Sequence, residues 1–287
     1  MIKTANQLKA KVRNLSGSNS QKAQTLIRNF VMERFLERIT LSPYRNNFVL
    51  KGGMLVAAIV GLESRATMDI DTTVKSLNLE KEKAIEIVSE IIAVKIPDGI
   101  NFEIVKVSDI MEEHDYPGIR FMLQATLENL RQTIKIDIST GDIITPGAVQ
   151  FSYPLMFENR SISLWTYNLE TLLAEKLETI MSRSTTNTRM RDFYDIHVLS
   201  QQKKYSTETL KAAFIATSTK RKTVDQLTDF KAILQMLKSD DNMQALWENY
   251  RKNTFFVGDF SWSDVITSVE KLAEEVTLPT NQTHTKR

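Results

Sequence analysis

Two aspartates one residue apart, Asp69 and Asp71, stand in the segment RATMDID, and a third, Asp137, stands in KIDIS. Carboxylates are hard oxygen donors, so three of them on one surface suit a divalent cation such as Mg2+ or Mn2+. Side chains alternate faces along a strand, so Asp69, Asp71 and Thr73 share one face while Met68, Ile70 and Thr72 take the other. The two aspartate Cα atoms then lie about 6.5–7 Å apart, which lets both carboxylates converge on one cation or bracket two. The same alternation sets Lys135, Asp137 and Ser139 against Ile134, Ile136 and Ile138, and a neighbouring strand would bring Asp137 beside the pair. Such a trio suits phosphoryl transfer, two acids positioning a metal on a triphosphate and the third activating an attacking hydroxyl. An ordinary solvent-exposed strand face carries the same D-x-D spacing, so the surrounding sequence has to decide.

Upstream, Phe48-Val49-Leu50 has the character of a short buried strand, Gly52-Gly53 permits a tight turn with close backbone approach, and Met54–Val60 opens a helix. The amides at such a helix start can receive a phosphate; a plain strand-to-helix connection uses the same glycines. Downstream, Leu169, Leu172, Leu173, Leu177 and Ile180 form an apolar helical stripe on which Lys176 also falls. A lysine there either serves a site or snorkels to water along a buried stem. Asp192 shares a face with Ile196 and Leu199, which turns its carboxylate inward toward a cation, with Lys176 the expected partner. Tyr194 and Asp195 are read as helix packing and surface hydrogen bonding. The stretch RSTTNTRMR holds Arg183, Arg189 and Arg191 and no acid, as a solvated loop or a surface for nucleic-acid phosphates would. A second basic cluster combines Lys203-Lys204 with KRK at 220–222.

These residues need elements to hold them. Leu26, Ile27, Phe30, Val31, Arg34, Phe35 and Ile39 recur at spacings of three and four, a helix that Pro43 ends. From Phe48 to about Ser152 short strands alternate with helices, among them Phe102–Val107, Arg120–Leu127 and Thr133–Ile138. After a strand at Ser161–Trp165, helical signals dominate from Asn168 onward. The expectation is an α/β domain with a mixed sheet and N-terminal helices over 1–160, then a mostly helical domain over 161–287, their boundary within 155–167. The tail TLPTNQTHTKR is expected to lack structure.

Composition narrows the chemistry. Of 287 residues, 42% are hydrophobic and 25% charged, an ordinary globular balance. Without cysteine there is no disulfide framework and no thiolate metal site, and His114, His197 and His284 are too scattered to suggest zinc. The net charge of +2 arises from 37 basic and 35 acidic side chains, so any nucleic-acid contact must be a local patch. The apolar run Met54–Leu62, interrupted by Gly61, is far shorter than the roughly 18 residues of a membrane span. A polar N-terminus without an apolar secretory core points to the cytoplasm.

In order along the chain come KGG at 51–53, RATMDID at 65–71, KIDISTGD at 135–142, AEKL at 174–177 and RMRDFYDI at 189–196. Together they resemble the AbiEii/AbiGii toxin branch of the DNA polymerase β superfamily of nucleotidyltransferases, over roughly residues 45–200. The resemblance implies a polymerase β-like domain that moves a nucleoside monophosphate from an NTP to an acceptor and releases pyrophosphate. It implies a catalytic set of Asp69, Asp71, Asp137, Lys176 and Asp192, with the first three on the metal. Lys51, Gly52, Gly53, Arg65 and Lys176 would bind the NTP, although Arg65 fits a structural ion pair equally well. Arg183, Arg189 and Arg191 would meet RNA phosphates, or else Arg189 or Arg191 would fold back onto the triphosphate or pair with Asp192. Many polymerase β-type enzymes carry Gly-Ser where this chain has Gly52-Gly53, which removes a hydroxyl contact; the toxin branch commonly has Gly-Gly.

For related toxins the acceptor is a tRNA 3′ end and the setting is abortive infection, a phage defence. The toxin is countered by a separately encoded antitoxin, without a stable complex between the two. Two other readings remain: nucleotidylation of a protein hydroxyl, and an inactive binding module on the same fold. The presence of Asp69, Asp71, Asp137 and Lys176 weighs against the second.

Overall fold

The computed structural model describes residues 1–77, 80–111, 117–202, 204–227 and 229–277. His114, Lys203, His284 and the tail from 278 lie outside them. Met1–Asp142 and Gly147–Asn168 form one compact unit, and Ile143–Pro146 with the chain from Leu169 onward form a second.

The first unit begins with α1 (Ala5–Ser16) and α2 (Ser20–Leu41). Each has a side-chain N-cap: the Gln7 amide donates to Thr4 Oγ1 at 3.2 Å and the Lys22 amide to Asn19 Oδ1 at 2.9 Å. α2 stops two residues before Pro43, as the missing amide requires. There follow β1 (Phe48–Lys51), α3 (Gly52–Val60), β2 (Asp69–Val74), α4 (Lys81–Ala93), β3 (Asn101–Met111), β4 (Pro117–Leu127), β5 (Leu130–Thr140), β6 (Val149–Pro154) and β7 (Ser161–Thr166). The strands make one mixed sheet in the order β3-β4-β5-β2-β1-β7-β6, in which β2/β5 and β1/β7 are the parallel pairs. The mixed α/β class expected from sequence is the one observed.

Alternation decides what each sheet face does. On β4, Ile119, Phe121, Leu123 and Ala125 are buried, as are Ile134, Ile136 and Ile138 of β5. α2 packs on β5 and β7, and α4 on β3. The intervening residues of these strands are more open and mostly polar, and Asp137 lies among them, as Asp69 and Asp71 do on β2.

Helix α2 is enclosed on more than its apolar stripe, because Glu33, Arg34, Glu37 and Arg38 are buried as well. Arg38 grips Asp98 through two hydrogen bonds of 2.8 and 3.1 Å, and Arg34 pairs with Glu37 at 2.9 Å and Glu158 at 3.1 Å. Charges removed from water in this way need such partners, or the desolvation cost goes unopposed.

The second unit contains α5 (Leu169–Arg183), α6 (Met190–Ser200), α7 (Thr207–Lys220), α8 (Phe230–Ser239), α9 (Asp241–Asn253) and α10 (Trp262–Thr277). Its core collects Leu173, Leu177 and Ile180 of α5, Phe193, Ile196 and Leu199 of α6, Leu210 of α7, Trp247 of α9 and Val265 and Val269 of α10. Trp247 Nε1 donates to the Phe260 carbonyl at 3.0 Å, so the indole is buried without losing its hydrogen bond.

One sequence expectation changes here. Met68 does not extend the apolar face of β2: the strand begins at Asp69, and Met68 is 56% exposed while Ile70 is fully buried.

Candidate active site

The turn from β1 into α3 is built for close approach. Gly52 has φ +64°, a conformation that side chains with Cβ resist, and a Cβ placed on it would lie 2.8 Å from Asp71 Cβ. On Gly53 a Cβ would lie 2.6 Å from Thr67 Oγ1 and 3.3 Å from Arg65 Nη2. Both glycines therefore let the helix start press against the RATMDID segment. The Thr67 hydroxyl fills the space that a serine at 53 would need, which gives the Gly-Gly form a local steric reason. Arg65 is buried beneath this turn and donates from Nη1 to the Ala66 carbonyl.

Register brings the aspartates together. Asp71 is the Cα partner of Asp137 across the parallel β2/β5 pair, and Asp69 is the partner of Lys135. All three carboxylates thus share the polar face, in two adjacent rows. Lys51 joins them as the antiparallel partner of Asp71 on β1.

Cations already engage Asp69 and Asp137. Lys135 Nζ lies 2.7 Å from Asp69 Oδ2. Arg120 donates from Nε to Asp137 Oδ1 and from Nη2 to Asp137 Oδ2, each at 2.8 Å, the fork geometry of a strong pair. That hydrogen bond, reinforced by the charges of Asp137, Asp69 and Asp71, raises the Arg120 pKa and keeps it protonated. Among the described residues no three acid or imidazole side chains are gathered closely enough to hold a metal as they stand. The all-carboxylate donor set still suits a hard divalent ion, since an ammonium and a guanidinium now occupy oxygens that such an ion would use.

Lys51 has its own anchor, Asp142, which accepts from Lys51 Nζ at 2.5 Å, Tyr167 Oη at 2.8 Å and Ser139 Oγ at 2.9 Å. Burial would raise the Asp142 carboxyl, but the Lys51 charge and these three hydrogen bonds outweigh it and hold it below the ordinary carboxylate value. The lysine is thereby fixed beside the Gly52-Gly53 turn.

In the second unit, Lys176 on α5 is nearly enclosed and its amine lies 3.0 Å from Asp192 Oδ1 and 2.6 Å from Asp195 Oδ2, both on α6. The Asp192 partnership is the one the helix faces suggested. Asp195 differs from the surface role read for it: it is fully buried and is the closer partner. The three-residue step from 192 to 195 keeps both acids on one side of α6. Tyr194 is buried and donates to the Phe256 carbonyl at 3.0 Å, a packing role. Arg183 closes α5 half-buried, while Arg189 and Arg191 at the start of α6 are exposed.

Reasoning from local pattern did not single out Arg120, Thr67, Asp142 or Tyr167, and it gave Lys135 no role. Alternation had put Lys135 on the Asp137 face, and the structure adds its ion pair with Asp69. The others depend on strand register or turn packing, which periodicity does not reveal.

Residues 34–267 match the family model described as "Nucleotidyl transferase AbiEii toxin, Type IV TA system". No curated protein sequence matches the chain significantly. Among solved structures, JHP933 from Helicobacter pylori is similar with a TM-score of 0.50 at 17% identity, over 88% of this chain and 91% of that one. An antigenic nucleotidyltransferase-like protein from Paracoccidioides brasiliensis is matched with a TM-score of 0.37 at 14% identity, over 78% of this chain and 93% of that one. The first likeness bears on the fold alone.

Proposed function

Because the chain belongs to the AbiEii nucleotidyltransferase toxin family of type IV toxin–antitoxin systems, we propose that it transfers a nucleoside monophosphate from an NTP to the 3′ end of an RNA, a tRNA in particular. Family membership makes it a nucleotidyltransferase and implies an NTP substrate and a separate antitoxin. The observation that carries the site is the register that sets Asp71 beside Asp137, with Asp69 on the same face.

In this reading Asp69, Asp71 and Asp137 would hold Mg2+ or Mn2+, which when bound neutralises charge on the triphosphate. Asp137 accepts the proton of the acceptor hydroxyl after Arg120 yields one of its oxygens. The hydroxyl oxygen bonds to the α-phosphorus as the bond to the bridging oxygen breaks, and pyrophosphate leaves. Lys51, held by Asp142, and the amides after Gly52 face the phosphates, an arrangement supported by the glycine conformations and by the α3 N-terminus. Arg65 shapes the same turn. Lys176 is assigned to nucleotide phosphate, with Asp192 orienting it. Arg183, Arg189 and Arg191 are assigned to RNA phosphates; exposure of the latter two supports this. The proposed setting is phage defence in the cytoplasm, with an antitoxin that acts without forming a stable complex. No helix of the described residues is long and apolar enough to cross a membrane.

The test is incubation with each α-labelled NTP, Mg2+ and total RNA, followed by separation of RNA from protein. Label at RNA 3′ ends is expected; label in protein with RNA untouched overturns the acceptor assignment.

A further inference from the structure

The polar face that bears the aspartates continues away from them across β5, β4 and β3. Paired residues of neighbouring strands point to the same side, so the register fixes its composition row by row. The first row runs Asp71, Asp137, Arg120, Ser108, and the second Asp69, Lys135, Met122, Lys106. Beyond them come Thr133, Gln124, Glu103 and then Arg131, Thr126, Asn101. A bulge at Val105 restores this order after Ile104, which is why Lys106 faces the polar side with Met122. Lys106, Arg131 and Thr133 are exposed.

This surface is open and rich in donors. At the β5, β4 and β3 positions of these rows the cations Arg120, Lys135, Lys106 and Arg131 outnumber the acids Asp137 and Glu103, and none of the residues in the rows is aromatic. Charge and hydrogen bonds therefore dominate over base stacking, the pattern of backbone rather than base recognition. Asp137 and Arg131 stand six positions apart on β5, about 20 Å at strand rise.

We infer that this face is the track for the sugar–phosphate backbone of the acceptor RNA, with Lys106 and Arg131 contacting phosphates and the strand end delivered to Asp137. The inference rests on the RNA-acceptor reading above and adds the surface that such a substrate uses. Contact with phosphates fixes position without reading sequence, so binding here is sequence-independent. Glu103, in the same field, opposes it.

The experiment measures binding of a fluorescent single-stranded oligoribonucleotide to the whole protein, by anisotropy over a salt series and without NTP. Lys106→Gln/Arg131→Gln should lower the slope of log affinity against log salt by about 1.4, roughly 0.7 per lost contact, which at 0.1 M salt is roughly a 25-fold loss. Glu103→Gln should tighten binding, and NTP binding by both variants should match that of the wild type. Wild-type slope and affinity in the double variant overturn the inference, as does parallel loss of NTP binding or failure of the wild type to bind the RNA. Label transfer by the wild type, scored separately, distinguishes the two levels. Transfer to RNA with an unaffected double variant removes only the surface, whereas RNA binding that responds to the variants without any transfer removes the enzymatic reading.

Discussion

Arg120 on β4 holds Asp137 on β5 by both carboxylate oxygens at 2.8 Å, so the residue assigned to take the acceptor proton is fully engaged before substrate arrives. Asp137→Asn should lower kcat by at least 100-fold with little change in NTP affinity, because a general base contributes roughly 10²–10⁴ in rate. Steady-state kinetics with NTP binding measured in parallel check this; weakened NTP binding at an unchanged rate would assign Asp137 to the substrate instead.

Gly52 is the second constraint on the acids. Gly52→Ala must hold a Cβ in left-handed backbone, at about 1–2 kcal/mol, while pressing on the Asp71 side chain. A lower melting temperature together with loss of transfer is expected. Gly53→Ser, which copies many polymerase β-type enzymes, should also impair this chain, because Thr67 occupies the space. Wild-type melting and activity in either variant would contradict the packing described for the turn.

Much of this arrangement is local and was legible in sequence. The alternation of Ile134, Ile136 and Ile138 marks β5 and its polar face, and the glycine pair marks the β1–α3 turn. Strand order is not local: β2 pairs with β5, whose first residue lies 56 positions after the last residue of β2, so nothing near Asp71 signals that it meets Asp137. The burial of Asp195 was hidden for a similar reason. An acid on a helix is usually exposed, and the Lys176 partner on α5 helps to make its burial tolerable.

That pair yields a stability measurement. Lys176→Met takes the ammonium away from the buried Asp195, which should cost about 3–5 kcal/mol in chemical denaturation. Adding Asp195→Asn should recover most of the loss, since the neutral amide no longer needs a counter-ion. If the double variant regains stability yet remains inactive, Lys176 serves the reaction as well as the fold; if activity returns, its role is structural.

Acid sensitivity should arise at the α6–α10 contact. His197 Nδ1 lies 2.8 Å from Ser268 Oγ and Nε2 lies 3.0 Å from Gln201 Nε2, with the Phe260 ring alongside. Burial lowers its pKa below the ordinary 6.5, although the Asp264 carboxylate opposes the shift. The folded state therefore resists protonation, so this contribution is complete above pH 6.5 and is lost as pH falls below it. Glu33 titrates in the other sense: burial raises it from 4.5 to about 8, so its contribution is complete below pH 4.5 and fades between 4.5 and 8. Denaturation at stepped pH should show the His197 component vanish in His197→Gln while the Glu33 component persists. An unchanged acid limb in that variant would contradict the assignment.

Asp69 and Asp71 project from the sheet face away from its apolar core, so replacing them should spare the fold. The most direct measurement is therefore incorporation of α-labelled NTP into RNA by the wild type and by Asp69→Ala/Asp71→Ala, with circular dichroism confirming that the variant is folded. Label at RNA 3′ ends for the wild type and none for the folded variant is the expected result. Equal labelling by a folded variant, or none by the wild type with any of the four NTPs, would contradict the central claim.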